Sequence, residues 1–210
     1  MINLRVASFG SRNKKDIAIT FDDGPNPYFT LKILDILEFF NIKATFFVIG
    51  KRCLEYPEIL KEIKQKGHLI GNHTFSHKSG DFEMCDNEIT RTIGEVSNYV
   101  RPPFYNLSFC SKENGYLQDK FIITGDVDSK DYLSISKDEI LINVLADTKN
   151  GSLIDFHDGS EIDDDLKTRA QKTVDALPDI ITTLLHDQFN FVRINVMDLQ
   201  FIDFQILQKM

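Results

Sequence analysis

The sequence predicts an α/β fold with about seven parallel strands. Short apolar runs of strand length recur along the chain, and segments with apolar residues at helical spacing separate them. A strand followed by a helix, repeated about seven times, is typical of a parallel sheet, which can close into a barrel or stay open. The 210 residues, 42% hydrophobic and 27% charged, are enough for one domain with a sizeable buried core.

Each predicted strand is rich in β-branched or aromatic residues and is followed by polar or turn residues. The seven strands fall, in chain order, at residues 17–21, 44–49, 68–70, a weak segment near Val100, 121–124, 152–156 and 189–194. Apolar stripes at helical spacing predict helices at residues 31–40, 59–63, 89–96, 140–145 and 174–185, and a last helix at 196–207.

Local signals refine these helices. Gly67 ends the second helix, and the residues from Ser136 to Glu139 form a capping box at the start of the fourth. Pro178 lies inside the fifth helix and predicts a break or kink. The acidic stretch 161–165 predicts a solvated loop. No linker rich in proline, glycine or serine divides the chain, so we expect a single domain over residues 1–210.

The composition disfavours several kinds of partner. The 24 basic and 32 acidic residues give a net charge of −8, and no basic run stands out, so we expect neither nucleic acid nor an anionic membrane surface as a partner. No apolar stretch approaches the length of a membrane span, so we expect no membrane insertion. Cys53, Cys85 and Cys110 are widely spaced and form no CxxC pair, which predicts small buried side chains rather than a cysteine zinc site.

The amino-terminal segment lacks the features of a signal peptide. As it stands, the sequence suggests a cytoplasmic protein, although an exported protein without its leader would look the same. Localisation and oligomeric state therefore stay open at this point.

Polar side chains follow five of the predicted strands. In chain order these residues are Asp22 and Asp23, His73, Arg101, the group Asp126, Asp128 and Asp131, and His157. Because the carboxyl ends of parallel strands share one face of an α/β fold, and that face carries the chemistry, these side chains are predicted to converge.

His73 and His77 have the H-x3-H spacing, which at helical pitch places both imidazoles on one face. Asp23 is the candidate third ligand, and two histidines with one carboxylate leave positions for water and substrate. We therefore expect one divalent metal ion on Asp23, His73 and His77. Zinc is favoured, although Co²⁺, Ni²⁺ or Fe²⁺ could accept the same donors. Two packed or surface histidines are the simpler alternative.

The other candidate residues also have simpler interpretations. Asp22 and Asp23 can belong to an ordinary turn, His157 can be a hydrogen-bonded core histidine, and the residues from Arg101 to Phe104 can form a rigid turn. Near a metal ion, however, Asp22 becomes a candidate base and His157 a candidate general acid. Arg101 could hold a carboxylate in its ionised form, and the two prolines could fix the backbone N–H of Phe104 as a donor.

Taken together, these residues resemble the polysaccharide deacetylases with the NodB homology domain, carbohydrate esterase family 4. The five family motifs are matched in order by residues 20–25, 73–77, 101–104 and 128–132 and by His157, and the resemblance covers about residues 15–195. Each motif alone is weak, but five in order are specific. The resemblance implies a distorted (β/α) barrel, usually of seven strands.

The resemblance also implies a role for each matched residue. Asp22 would be the catalytic base, oriented by Arg101, and the N–H of Phe104 would help to hold the oxyanion. His157 would be the general acid, kept protonated by Asp131. The metal ligands would be Asp23, His73 and His77. The implied reaction is hydrolysis of N-acetyl groups on N-acetylglucosamine units of a peptidoglycan-like or chitin-like carbohydrate, releasing acetate.

Three positions depart from the family pattern and are candidate substrate-binding residues. Tyr132 stands where the fourth motif normally ends in tryptophan, and Tyr105 stands where glycine usually follows the third motif. Asp155 replaces a leucine two residues before His157 and should point to the active-site side, because residues two apart on a strand face the same way. A charge there is costly unless it is paired or protonated.

These departures keep two alternatives open. One is a related amide hydrolase of the same superfamily that acts on another N-acyl or cyclic amide substrate. The other is a non-catalytic carbohydrate-binding relic, which would require damage to the metal ligands or to the base.

Overall fold

A curled sheet, most of whose strands are parallel, forms the centre of the protein. The structure is a computed structural model that describes residues 4–111, 113–133, 135–159 and 166–203. Within these residues ten strands make one sheet, in the order β10-β1-β6-β5-β4-β3-β2-β8-β7, with β9 paired to β2. The strands are β1 Arg5–Gly10, β2 Asp16–Asp22, β3 Thr45–Val48, β4 Leu69–Asn72, β5 Tyr99–Val100, β6 Phe121–Ile123, β7 Val127–Asp128, β8 Leu153–His157, β9 Asn190–Phe191 and β10 Leu199–Asp203.

Helices connect most of the strands. They are α1 Phe29–Phe39, α2 Gly50–Glu55, α3 Pro57–Gln65, α4 Phe82–Ile93, α5 Ser108–Ser111, α6 Asn114–Leu117, α7 Lys137–Asp147 and α8 Leu166–His186, with 3₁₀ turns at Pro103–Tyr105 and Ile194–Val196. None of the described helices is both long enough and apolar enough to cross a bilayer.

The barrel is distorted where β6 passes into β7. β6 pairs in parallel with β1 and β5, whereas β7, a few residues later, pairs with β8. The chain therefore changes partners at residues 124–126, and the sheet curls back on itself there. This agrees with the distorted barrel that the resemblance implies.

The alternation of side chains along β2 separates two hydrophobic clusters. Ile17, Ile19 and Phe21 belong to the main core, together with apolar residues of α1, α7 and α8. Ala18 belongs to another cluster, with residues of β1, β3, β6 and β8, which only the interior of the curled sheet can bring together. The inward row of β2 therefore runs from Ala18 to Asp22 and ends at the mouth of the barrel.

Most of the predicted elements are present. The seven predicted strands correspond to β2–β6, β8 and β9. The capping box is also present, because the Ser136 hydroxyl accepts from the N–H of Glu139 at 3.2 Å and the Glu139 carboxylate accepts from the N–H of Ser136. The three cysteines are free and buried, as expected.

The prediction of a last helix from residue 196 is wrong: the chain forms β10 there, because this segment pairs antiparallel with β1. Pro178 does not break α8, which runs from Leu166 to His186, since Leu177 and Ile181 on either side are fully buried and their packing outweighs the lost hydrogen bond. The predicted loop at 161–165 and the end of the predicted last helix lie outside the described residues.

Candidate active site

Asp22 ends the inward row of β2 and is fixed by a buried arginine. Arg101, which is fully buried, donates from Nη1 to Oδ1 of Asp22 at 2.8 Å and to the hydroxyl of Thr20 at 2.8 Å. Its Nη2 donates to the carbonyl of Thr124 at 3.2 Å, and its guanidinium lies 4.1 Å from the centre of the Phe47 ring. These contacts hold the guanidinium group in one orientation, with Nη1 directed at Asp22.

The two oxygens of Asp22 have different neighbours. Oδ1 accepts from Arg101, whereas Oδ2 lies 3.7 Å from Nε2 of His73. Burial raises the pKa of Asp22 well above its ordinary value, and the charge of Arg101 acts in the opposite direction. A buried carboxylate with a raised pKa and one oxygen turned towards histidine nitrogens is suited to accept a proton.

Asp23, His73 and His77 form a group able to bind a metal ion. Nε2 of His73 lies 3.5 Å and Nε2 of His77 3.4 Å from Oδ1 of Asp23, and one donor atom from each residue lies within 4.8 Å of the other two. Oδ1 of Asp23 is buried and has no hydrogen-bond partner among the described residues. An orphaned buried carboxylate oxygen facing two imidazoles fits a divalent cation.

The ring of His73 is oriented for this purpose. Its Nδ1 lies 2.8 Å from the carbonyl oxygen of Arg101, which can only accept, so Nδ1 carries the proton and Nε2 is the free ligand atom. Burial lowers the pKa of His73 well below its ordinary value, with His77 and Arg101 acting in the same direction. The imidazole is thus kept neutral, as a metal ligand requires.

The helical spacing argued for His73 and His77 is wrong, although the two side chains do meet. Both residues lie in an irregular loop after β4, in which Thr74 and His77 have φ angles of 69° and 59°. Left-handed backbone is unfavourable for such residues and must be imposed by the surroundings.

Two side chains hold this loop in its unfavourable conformation. The side-chain Oδ1 of Asn72 accepts from the N–H of Thr74 at 2.8 Å. Asp81 accepts from the N–H groups of Phe75 and Ser76 at 2.9 and 3.0 Å. The backbone between the two histidines is therefore fixed by hydrogen bonds at both ends of the loop.

Asn72 is itself anchored by a buried ion pair. Its amide nitrogen donates to Oδ1 of Asp86 and to the carbonyl of Phe82, both at 2.8 Å. Oδ2 of Asp86 accepts from Nζ of Lys120 at 2.6 Å, and Lys120 also donates to the carbonyl of Ser97. We call Asn72, Asp86 and Lys120 the loop anchor.

His157 lies opposite Asp22 in the register of β2 and β8 and is paired with Asp131. Its Nδ1 donates to Oδ1 of Asp131 at 2.7 Å, and its backbone N–H donates to Oδ2 at 2.9 Å. Burial alone would lower the pKa of His157, but the Asp131 carboxylate outweighs it and raises that pKa well above its ordinary value. The ring is thus suited to remain protonated near neutrality.

Asp131 is kept ionised by the same contacts. Burial alone would raise its pKa, but the charge of His157 and hydrogen bonds from His157 and Thr173 lower it. The hydroxyl of Thr173, on α8, donates to Oδ2 at 2.7 Å. The sequence gives no signal for this contact, because Thr173 lies 42 residues from Asp131, on a helix whose pattern predicts only core packing.

Two exposed aromatic rings flank the site. The ring of Phe104 is 79% exposed and lies edge-on to His77, with 4.8 Å between centroids. The ring of Tyr132 is 42% exposed and lies edge-on to His157, with 5.5 Å between centroids. Phe104 and Tyr105 both have left-handed backbone, with φ of 56° and 53°, which turns the two side chains apart.

The unusual Asp155 does point into the site and is paired. Its Oδ1 accepts from Nη1 of Arg101 at 2.9 Å, so that Arg101 serves both Asp155 and Asp22. Burial raises the pKa of Asp155, with the charge of Arg101 opposing. The hydroxyl of Tyr105 is buried next to this carboxyl group, so Tyr105 lies below the mouth of the site rather than at its rim.

Two of the polar residues predicted to converge lie away from the centre. Asp126 binds Arg12 at 2.6 Å and accepts from the N–H of Leu153, so it ties the barrel together. Asp128 accepts from the N–H of Lys130 and the hydroxyl of Tyr132. Sequence reasoning missed Asp158, which is fully buried, accepts from the hydroxyl of Thr30 and is packed tightly against Gly24.

A buried carboxylate and an aspartate-paired histidine, next to a group of nitrogen and oxygen atoms able to bind a metal ion, are typical of a metal-dependent hydrolase. Residues 9–108 match the family model described as polysaccharide deacetylase. The chain is 35% identical over 195 residues to a peptidoglycan-N-acetylglucosamine deacetylase of Bacillus cereus, covering 87% of this chain and 68% of the relative. It is 31% identical over 206 residues to a chitooligosaccharide deacetylase of Sinorhizobium fredii, covering 90% of this chain and 94% of the relative.

A solved structure supports the same assignment. The crystal structure of the Bc1960 peptidoglycan N-acetylglucosamine deacetylase superposes with a TM-score of 0.82 at 34% identity, covering 91% of this chain and 92% of that one. The chain belongs to the polysaccharide deacetylase family, and it is a hydrolase of N-acetyl amide bonds. The family and the barrel fold inferred from the five motifs are thereby confirmed.

Proposed function

We propose that the enzyme removes N-acetyl groups from N-acetylglucosamine units of a polysaccharide or oligosaccharide of the peptidoglycan or chitin type. The names of the relatives support this substrate class. The observation that carries the proposal is the register of β2 and β8, which sets Asp22 opposite His157, with Asp23 and its two histidines alongside. A candidate base, a candidate acid and a candidate metal-binding group thus meet at the mouth of the barrel.

Asp23, His73 and His77 would hold one divalent ion, for which zinc is the favoured candidate because two imidazoles and one carboxylate suit it. When bound, such an ion supplies Lewis acidity, polarising the amide carbonyl and lowering the pKa of water. The hydrogen bond from Nδ1 of His73 to the carbonyl of Arg101 leaves Nε2 as the ring nitrogen that would bind the ion.

Asp22 is proposed as the general base. Its Oδ2 is turned towards the histidine nitrogens, so it can take a proton from the water that attacks the acyl carbon. Arg101 binds the other oxygen at 2.8 Å and so fixes the orientation of the carboxylate. The backbone N–H of Phe104 is proposed as a donor to the developing oxyanion, because its left-handed conformation next to two prolines sets its direction in advance.

His157 is proposed as the general acid. The bond between the acyl carbon and the nitrogen breaks, and the protonated ring supplies the proton that the leaving amine requires. Asp131 orients the ring through Nδ1, so that Nε2 is the atom that can donate to the substrate. Water adds across the amide, and the products are acetate and a free amino sugar.

The exposed rings of Phe104 and Tyr132 are proposed to contact the sugar. They stand beside the two histidines on opposite sides of the site, and aromatic faces stack well on the apolar faces of sugar rings. Tyr132 would thus take the position that the family gives to tryptophan.

The experiment that tests this proposal measures acetate release from N-acetylglucosamine oligomers and peptidoglycan fragments by zinc-loaded protein. We expect release that stops after chelation and returns with zinc. Asp35→Asn, which removes an exposed carboxylate of α1, serves as the matched control and should behave as the wild type. A protein shown to contain metal that releases no acetate from any of these substrates would refute the proposal.

A further inference from the structure

A second carboxyl group lies beneath the proposed acid–base pair. Asp155 and His157 are two residues apart on β8, so both side chains face the interior of the barrel. Donor atoms of Asp22, Asp155 and His157 lie within 4.8 Å of one another. Asp155 therefore borders the space between base and acid, which is where the reacting acyl carbon must lie.

Polar groups surround Asp155, and one of them is the guanidinium of Arg101, which also binds Asp22. Arg101 donates to Asp155 and to Asp22, so one positive charge faces two carboxyl groups. The buried hydroxyl of Tyr105 lies on the same side. A Cβ atom at Gly125 would lie 2.7 Å from that hydroxyl oxygen, so the missing side chain makes room for Tyr105.

One substituent of the acyl group must face the floor of the site, which Asp155 and Tyr105 form. Of the three groups on the reacting carbon, the nitrogen is attached to the sugar and must face His157 at the mouth. The carbonyl oxygen faces the group formed by Asp23 and the two histidines. The remaining substituent, which is a methyl in acetyl, is then directed to the floor formed by Asp155 and Tyr105.

We propose that Asp155, together with Tyr105, selects an N-acyl group that carries a hydroxyl on the carbon next to the carbonyl, as in N-glycolyl, over N-acetyl. This inference rests on the proposed function and specifies its acyl group. A methyl would cover the carboxyl group without giving it a hydrogen bond, which is unfavourable. A hydroxyl both donates and accepts, so it satisfies Asp155 and Tyr105 together. The reaction is otherwise the same, with water adding across the amide to give glycolate and the amine.

The test compares two oligosaccharides of equal length that differ only in carrying N-glycolyl or N-acetyl groups. For each protein the ratio of the two kcat/KM values is measured, so that a general loss of activity cancels. We expect the wild type to favour N-glycolyl by about 10- to 100-fold, the range of a hydrogen bond to a charged group. Asp155→Leu should reverse the preference in favour of N-acetyl.

Two further variants keep the test decisive. Thr20 is another buried partner of Arg101 and lies opposite Asp155 in the register of β2 and β8. Thr20→Val removes this partner without changing a group that contacts the substrate. The ratio of its two kcat/KM values should therefore equal that of the wild type. Tyr105→Phe deletes only the second polar atom and should reduce the N-glycolyl preference, which makes the test independent of the folding of Asp155→Leu.

Three results would overturn the inference. They are a wild type that favours N-acetyl or neither substrate, a preference that survives unchanged in Asp155→Leu or in Tyr105→Phe, and an equal change in Thr20→Val, which would assign the effect to Arg101. Failure of the proposed function is distinct, because metal-loaded wild type would then release no acetate from the N-acetyl oligosaccharide, whereas the inference predicts slower but measurable release.

Discussion

Nδ1 of His157 lies 2.7 Å from Oδ1 of Asp131, and the same carboxylate also accepts from the backbone N–H of His157. A single carboxylate thus fixes both the ring and the backbone of His157. The hydroxyl of Thr173 donates a further hydrogen bond to this carboxylate. The pair raises the pKa of His157 and lowers that of Asp131, so each group keeps the other charged.

The pH profile should reveal this pair. If protonated His157 is the acid, activity falls as the pH rises through its pKa, and the raised pKa places this fall above the ordinary value of 6.5. In Asp131→Asn the supporting charge is absent, so the fall in kcat/KM should move to lower pH and the maximum rate should drop. An alkaline limb at the same pH in both proteins would contradict this assignment.

The metal site should depend on the loop histidines. His77→Ala removes one of the three donor atoms of the group formed with Asp23 and His73, and we expect the purified variant to contain little zinc. The exposed His186→Ala is the matched control and should keep a full metal content. Metal analysis after dialysis measures both, and a full load in His77→Ala would reject the ligand set.

The loop anchor should affect metal affinity from a distance. Asp86→Asn keeps the shape of the side chain but removes the charge that holds both Lys120 and the amide of Asn72. Because Asn72 fixes the backbone between the two histidines, we expect zinc to bind about tenfold more weakly, as measured by competition with a chelating dye.

Arg91→Gln is the control for the anchor. It breaks the ion pair of Arg91 with Glu88 on the same helix, α4, without touching Asn72, and should leave the affinity unchanged. Equal zinc affinities in the two variants would contradict a role of the loop anchor in metal binding.

The placement of the site could be predicted because it follows from topology. Asp22 and His157 come directly after predicted strands and His73 follows one after two intervening residues, and parallel strands deliver their carboxyl ends to one face. The orientation of Asp155 followed in the same way from the two-residue period of β8.

The supports of the site could not be predicted. Lys120 and Asp86 are 34 residues apart and belong to no periodic pattern, so only the folded structure shows that they meet. The spacing of His73 and His77 predicts a helix, because spacing alone cannot show that Asn72 and Asp81 impose left-handed backbone there. Likewise, the segment after Val196 has apolar residues compatible with a helix, and its pairing with β1 decides for a strand.

The most direct test of the division of labour between Asp22 and Asp23 is a parallel measurement of zinc content and turnover in Asp22→Asn and Asp23→Asn. We predict that Asp22→Asn keeps its zinc and loses about 100-fold or more in kcat, the usual contribution of a general base, whereas Asp23→Asn loses the zinc itself. Near wild-type turnover in Asp22→Asn, or a full zinc content in Asp23→Asn, would contradict the account.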